Sequence, residues 1–169
     1  MLILMAGLPG TGKTALADAL AARTGGAVVS KDRIRHALFA EHDVEYSSAQ
    51  DDFCVEIMLM TAEYLLKKDP ARRVFLDGRT FSRRYQMDRV IERANAMGQP
   101  WRILECVCSE ETARERLAAQ SAEHEARNRD FKLYLNVRAR FEPITLPRTV
   151  IDTDQEFEEC VRVGMVAIA

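Results

Sequence analysis

Gly7-Leu8-Pro9-Gly10-Thr11-Gly12-Lys13-Thr14 follows directly on the apolar run Leu2-Ile3-Leu4-Met5-Ala6 and leads into Ala15-Leu16-Ala17-Asp18-Ala19-Leu20-Ala21-Ala22-Arg23. The eight residues satisfy G-x-x-x-x-G-K-[ST], and each residue type in that pattern has a physical role. Glycines let successive backbone N–H groups turn inward on phosphate oxygens, and the helix that follows presents its positive end to them. Lys13 is placed to reach the β- and γ-phosphates, and the Thr14 hydroxyl to ligate the Mg²⁺ that bridges them. A glycine-rich turn with a solvated lysine is the bland alternative. The order of apolar strand, loop and strong helix formers weighs against it. All eight residues are therefore expected to cradle a nucleoside triphosphate.

Outward from the loop, short β-rich runs alternate with longer helical patterns. Leu2–Ala6, Ala27–Ser30, Arg73–Asp77, Trp101–Cys108 and Thr149–Asp152 read as strands. This is the α/β pattern. Near-continuous apolar stretches such as Val74-Phe75-Leu76 suit a parallel sheet covered on both faces, with ligands at the carboxyl ends of its strands. From Ser48 to Lys68, Phe53, Ile57, Met60, Tyr64 and Leu65 mark one helical stripe expected to face the core, and Ser48 with Asp51 reads as a capping box. Ser109 opens a further helix, and Thr153 with Glu156 reads as the start of the last.

The chain of 169 residues is expected to form one domain spanning 1–169, with 47% hydrophobic and 30% charged residues. No apolar stretch approaches the ~20 residues of a membrane span and no charged leader precedes the first strand, so a cytoplasmic location is expected. Cys54, Cys106, Cys108 and Cys160 lack metal or redox spacing and read as buried free thiols. His36, His42 and His124 have no metal-ligand spacing and default to surface roles. The net charge of −2 gives no general pull toward nucleic acid.

Two further strand ends carry chemistry. After Ala27–Ser30 comes Lys31-Asp32-Arg33-Ile34-Arg35, a D-x-x-R pair at a helix start, where positions i and i+3 point to one side. Asp32 can accept a proton from a substrate hydroxyl while Arg35 holds an anionic or polar part of the substrate. An acidic helix cap with a salt bridge explains the same spacing. Asp77 ends Arg73–Asp77 where a Walker-B-type acid meets the water shell of Mg²⁺. Gly78 follows it, not the second acid usual in hexameric mechanical ATPases, which argues against a motor. Arg79, Arg83 and Arg84 are candidates for an acceptor pocket, the latter two equally for a solvated helix start. Tyr46 is a candidate for the same pocket or for loop packing.

GLPGTGKT, SKDRIR, VFLDGRT, RERL, ARNRDFKLYLNVRARFEPI and VIDTD together resemble a small P-loop kinase over nearly the whole chain. The resemblance is to compact ATP-binding proteins labelled AAA-family ATPases, which are similar to polynucleotide 5′-hydroxyl kinases, seryl-tRNA kinases, gluconate kinases and antibiotic phosphotransferases. It implies a three-layer P-loop NTPase fold with a five-stranded parallel sheet in order 2-3-1-4-5 and a small helical lid near residues 120–130. It also implies ATP and Mg²⁺ as cofactors, a general-base role for Asp32 and an acceptor-binding role for Arg35. Arg116 becomes a candidate nucleotide contact, and Arg127 and Arg129 become candidate lid arginines that close over the phosphoryl in transit. The chain departs from the usual R-x-x-x-R spacing, because Gln120 stands four residues after Arg116.

The expected activity is transfer of the γ-phosphoryl group of Mg·ATP to a hydroxyl acceptor. A small molecule ranks ahead of a polynucleotide, because only 7% of residues are aromatic and they do not cluster beside arginines along the chain. A nucleotide-driven switch acting through a protein partner is the alternative from another class. It shares the loop but needs no hydroxyl-activating base.

Overall fold

A computed structural model describes residues 1–120 and 130–169. Its five strands are β1 (Leu2–Ala6), β2 (Ala27–Ser30), β3 (Val74–Asp77), β4 (Trp101–Val107) and β5 (Thr149–Asp152). All pair in parallel in the order β2-β3-β1-β4-β5. The expected strand order and strand positions both hold, with β3 and β4 each one residue shorter than the sequence pattern suggests.

Strand side chains alternate between two cores. Leu2, Leu4 and Ala6 with Val74 and Leu76 pack against α3 (Ser48–Lys68) and α4 (Arg84–Ala96). Ile3 and Met5 with Phe75, Leu104 and Cys106 pack against α1 (Lys13–Thr24) and α7 (Phe157–Ala167). Because both faces are covered, the central strand β1 is apolar at every position and buried along its whole length, and β3 is apolar until Asp77 at its end. A third, smaller cluster of Ala113, Leu117 and Tyr134 joins α5 (Glu110–Gln120) to α6 (Phe131–Arg138) and reaches Leu8 of the loop. The remaining elements are α2 (Lys31–Leu38) and a short 3-10 helix, Glu41–Asp43.

Three local expectations are corrected. On α3 the core side is Cys54, Val55, Met58, Leu59, Ala62 and Leu66, whereas Phe53, Met60 and Tyr64 of the expected stripe are exposed. Apolar residues occur on both sides of this helix, so two phases of a 3.6-residue period fit its sequence. The sheet takes the side with the smaller residues. The α3 cap is Ser47, whose hydroxyl accepts from the Gln50 N–H at 3.1 Å, one residue earlier than the expected Ser48–Asp51 box. Helix α7 starts at Phe157 with Glu156 at its N-cap, so Thr153 does not open it.

Cys54, Cys106 and Cys160 are buried and Cys108 half-buried, all as free thiols. Among the described residues no helix is long and apolar enough to cross a membrane.

Candidate active site

The loop from Gly7 to Gly12 turns at the carboxyl end of β1 by using backbone that L-residues rarely adopt. Gly7 has φ +131°, and a Cβ there would meet the Cys106 carbonyl oxygen at 2.2 Å, so the loop lies directly on the end of β4. Its first amide donates to the Thr80 carbonyl at 3.0 Å, which ties the loop to the segment leaving β3. Lys13 is only 3% exposed, and its Nζ donates to the Leu8 carbonyl at 2.6 Å. The ammonium is thus held over the loop.

Thr14 and Asp77, the two candidate metal residues, meet directly. The Thr14 hydroxyl donates to Asp77 Oδ2 at 2.8 Å, while Asp77 Oδ1 is buried without a hydrogen-bond partner among the described residues. A buried carboxylate oxygen left over beside a hydroxyl suits a hard cation that takes oxygen ligands and keeps several waters and phosphates. Among the described residues no group of three or more His, Cys, Asp or Glu could hold a metal by itself.

Arg116, expected to touch nucleotide, is held against the loop by protein. Its Nη1 donates to Thr153 Oγ1 at 2.9 Å and its Nη2 to the Thr153 carbonyl at 2.7 Å. Thr153 Oγ1 is also within hydrogen-bond distance of the Thr11 carbonyl, 3.2 Å, and the Val107 carbonyl, 3.1 Å. Thr153 therefore links β4, the exit of β5, α5 and the loop, a part its sequence context disguised as a helix start. Arg127 and Arg129, His124, and the lid segment except its first and last residues lie outside the described residues.

The second side of the site is built on α2. Ser30 at the end of β2 caps this helix by accepting from the Arg33 N–H at 3.4 Å, which sets Asp32 in the first turn. Arg35, 1% exposed, donates to Asp32 Oδ1 at 3.0 Å and pairs with Asp51 from α3. Lys31 reaches the same two carboxylates, Asp51 at 2.8 Å and Asp32 at 3.6 Å. Removing one member of so buried a network typically costs about 3–5 kcal/mol, so α2 and α3 are locked together by charge as well as packing. Asp51 was missed as a site residue because a capping role accounted for it.

Asp32, Arg35, Tyr46, Asp51 and Arg79 line one cleft of about 260 Å³ together with Pro9 and Lys13; Leu133, Val137 and Arg140 border it from α6 and the turn beyond. Tyr46, half-buried, lies under the Arg35 guanidinium at 4.9 Å. Arg83 instead pairs with Glu142 at 2.8 Å, and Arg84 with Asp88 at 2.7 Å, so neither is among the residues lining the cleft. His36 and His42 are exposed.

The expectation that aromatics keep apart from arginines fails in space. Arg114 lies 3.9 Å from the Phe131 ring centre and Arg138 5.5 Å from that of Tyr134. Arg114 and Phe131 come from different helices, whereas Tyr134 and Arg138 stand one turn apart on α6. They are packing features, because Tyr134 is 4% exposed and stacks on Phe131 at 5.2 Å.

A phosphate-type loop between β1 and α1, an acid at the end of β3 and this strand order define a compact P-loop protein with the fold of the small kinases. The chain matches the AAA domain family over residues 2–144 and belongs to it. Its structure is similar to that of the APS kinase CysC of Mycobacterium tuberculosis, with 15% identity, 99% of this chain and 96% of that chain covered, and a TM-score of 0.73. Kti12 of Chaetomium thermophilum gives 20%, 100% of both chains and 0.71. A gluconokinase from Sinorhizobium meliloti 1021 gives 16%, 99%, 90% and 0.68. No curated protein sequence matches the chain.

Proposed function

We propose that this protein is a cytoplasmic ATP- and Mg²⁺-dependent phosphotransferase that moves the γ-phosphoryl group to a hydroxyl of a small acceptor. The observation that carries the reading is that Lys13 of the phosphate loop and the Asp32–Arg35 pair face one cleft. A donor site and a candidate base opening on the same space is what in-line transfer requires. The cleft, about 260 Å³, suits a small molecule, and among the described residues Tyr46 is the one aromatic lining it, too few for a stacking platform along a nucleic-acid strand. A switch needs no such cleft.

In this mechanism the loop amides and Lys13 bind and orient the triphosphate. Thr14 and Asp77 would hold Mg²⁺, which spreads the charge of the β- and γ-phosphates when bound. Asp32 orients the acceptor hydroxyl and takes its proton, and Arg35 fixes Asp32 through their 3.0 Å contact. Arg116 positions the loop through Thr153. Arg127 and Arg129 are our candidates for closing over the transferring group, which would exclude water and stabilise its charge. The similarity of the fold to proteins named as APS kinase and gluconokinase supports this class of chemistry.

The test is ADP formation from Mg·ATP by the wild type and Asp32→Asn, with sugars, nucleosides, aminoglycosides and 5′-hydroxyl oligonucleotides as acceptor pools. Stimulated turnover lost in the variant, with nucleotide affinity retained, is the expected result. Undiminished transfer by Asp32→Asn would remove Asp32 from the mechanism. Tight ATP binding without stimulation by any pool would favour the switch.

A further inference from the structure

Arg79 leaves β3 two residues after Asp77 and lines the cleft with only 7% of its surface exposed. Its Nη2 donates to Asp52 Oδ1 at 2.9 Å. Its Nε and Nη1 are buried and have no hydrogen-bond partner among the described residues. A guanidinium presents its donors as a rigid fork matched to a carboxylate, phosphate or sulfate, and leaving two of them buried and unpaired is unfavourable.

The other cleft charges do not answer it. Lys31 and Arg35 pair with Asp32 and Asp51, and Arg140 adds a further cation at the rim. Cations therefore exceed carboxylates on the acceptor side. Gly78, next to Arg79, is packed so closely on α2 that a Cβ there would lie 3.1 Å from the Asp32 amide nitrogen. The fork and the candidate base are thus neighbours in one small space.

We infer that the acceptor is an anionic small molecule, an alcohol that also carries a carboxylate, phosphate or sulfate, and that Arg79 binds this anionic group while Asp32 receives the hydroxyl. The inference rests on the phosphotransferase reading for the hydroxyl, but the anion subsite is testable without it. Specificity follows from the geometry: a neutral analogue would leave Arg79 Nε and Nη1 unpaired in the complex, a penalty that its anionic counterpart avoids.

The experiment has two arms. Inorganic phosphate, sulfate and acetate are titrated calorimetrically onto the protein loaded with Mg²⁺ and a non-hydrolysable ATP analogue, so that the loop is already filled. Saturable binding of at least one anion is expected, weakened roughly tenfold or more in Arg79→Gln, the scale of a charge-assisted hydrogen bond. Arg79→Lys keeps the buried charge if the glutamine variant folds poorly, and should also lose most of the affinity because it lacks the fork. In the second arm, gluconate is compared with glucose, and adenosine 3′-monophosphate with adenosine, for stimulation of ADP formation. A preference for an anionic member that sits in KM and disappears in Arg79→Gln is expected. The pair that responds tells carboxylate from phosphate. Absence of saturable anion binding, equal binding by the variants, or equal use of neutral and anionic partners would overturn the inference. Anion binding without any stimulated turnover would overturn the kinase reading and leave the anion subsite standing.

Discussion

Replacing Gly78 by alanine separates two effects that the site combines. Gly78 has φ +85°, and an added Cβ would lie 3.0 Å from the Lys31 amide nitrogen and 3.1 Å from that of Asp32. Gly25, at the C-cap of α1, has φ +64° with nothing within 4 Å of an added Cβ. Both alanines bear the left-handed backbone penalty of about 1–2 kcal/mol. At about 2–4 °C per kcal/mol for a chain of this size, Gly25→Ala should lower Tm by a few degrees and change nothing else. Gly78→Ala must also push the first turn of α2 away by a few tenths of an ångström, and Asp32 moves with it. A misplacement of about 1 Å in a reacting group costs roughly 100-fold, so a shift of this size should lower acceptor kcat by roughly tenfold. The nucleotide loop lies on the other side and should keep its affinity. Thermal melts, acceptor-stimulated ADP formation and nucleotide titration of the two variants are the assay. If Gly78→Ala matched Gly25→Ala in Tm and kept wild-type kcat, the close packing of β3 on α2 would not be what sets Asp32.

Thr153→Val retains shape but deprives Arg116 of its Oγ1 acceptor, and should lose about 1–2 kcal/mol of stability in urea unfolding and weaken nucleotide binding several-fold. Burial pushes the Cys106 thiol up to about 12 and also raises Cys108 above its ordinary value, so both are protonated at pH 7. Alkylation followed by mass spectrometry should therefore be slow at neutral pH and accelerate above pH 9, at half-buried Cys108 before Cys106. Bound nucleotide should protect Cys108, whose Sγ lies 4.0 Å from the Gly10 carbonyl. The hydrogen bond from Arg93, followed by that from Arg89, holds the Glu56 carboxyl below its usual range. Its stabilising contribution is present above the unfolded value of about 4.3 and is lost as pH falls through the depressed folded value. The group is over a third exposed, so Glu56→Gln should cost at most about 1 kcal/mol at pH 7, and its Tm should converge on wild type in strong acid.

Features legible in the sequence were those whose cause is local. β1, the loop and α1 form one continuous stretch, and β1 and most of β3 are apolar because they are covered twice. Asp32 and Arg35 sit one helical turn apart, so their meeting followed from spacing. Asp51 belongs to the same constellation but reaches it from another helix, and its place three residues after Ser48 imitated a cap. Thr153 has the same history: its partners are Arg116, Thr11 and Val107, and nothing in Thr153–Glu156 announces them. The α3 stripe failed for a different reason. A helix with apolar residues on two sides carries no phase information until a sheet selects one.

Strand order explains why the two halves of the site can cooperate at all. The loop follows β1 and Asp32 follows β2, and these strands are separated by β3. With neighbouring strands roughly 4.8 Å apart, the donor and acceptor sides start about 10 Å from each other, which leaves room for a phosphoryl group and an acceptor between them. β3 fills that interval at its carboxyl end with Asp77 toward Thr14, then Gly78 beneath α2, then Arg79 in the cleft wall. Three consecutive residues thus face the candidate metal position, the helix that carries Asp32 and the cleft. Adjacent placement of β1 and β2 would close this interval, and a larger residue at position 78 would widen it. The proposed chemistry therefore depends on the exit of β3 as much as on the phosphate loop, although only the loop carries a motif strong enough to be recognised by itself.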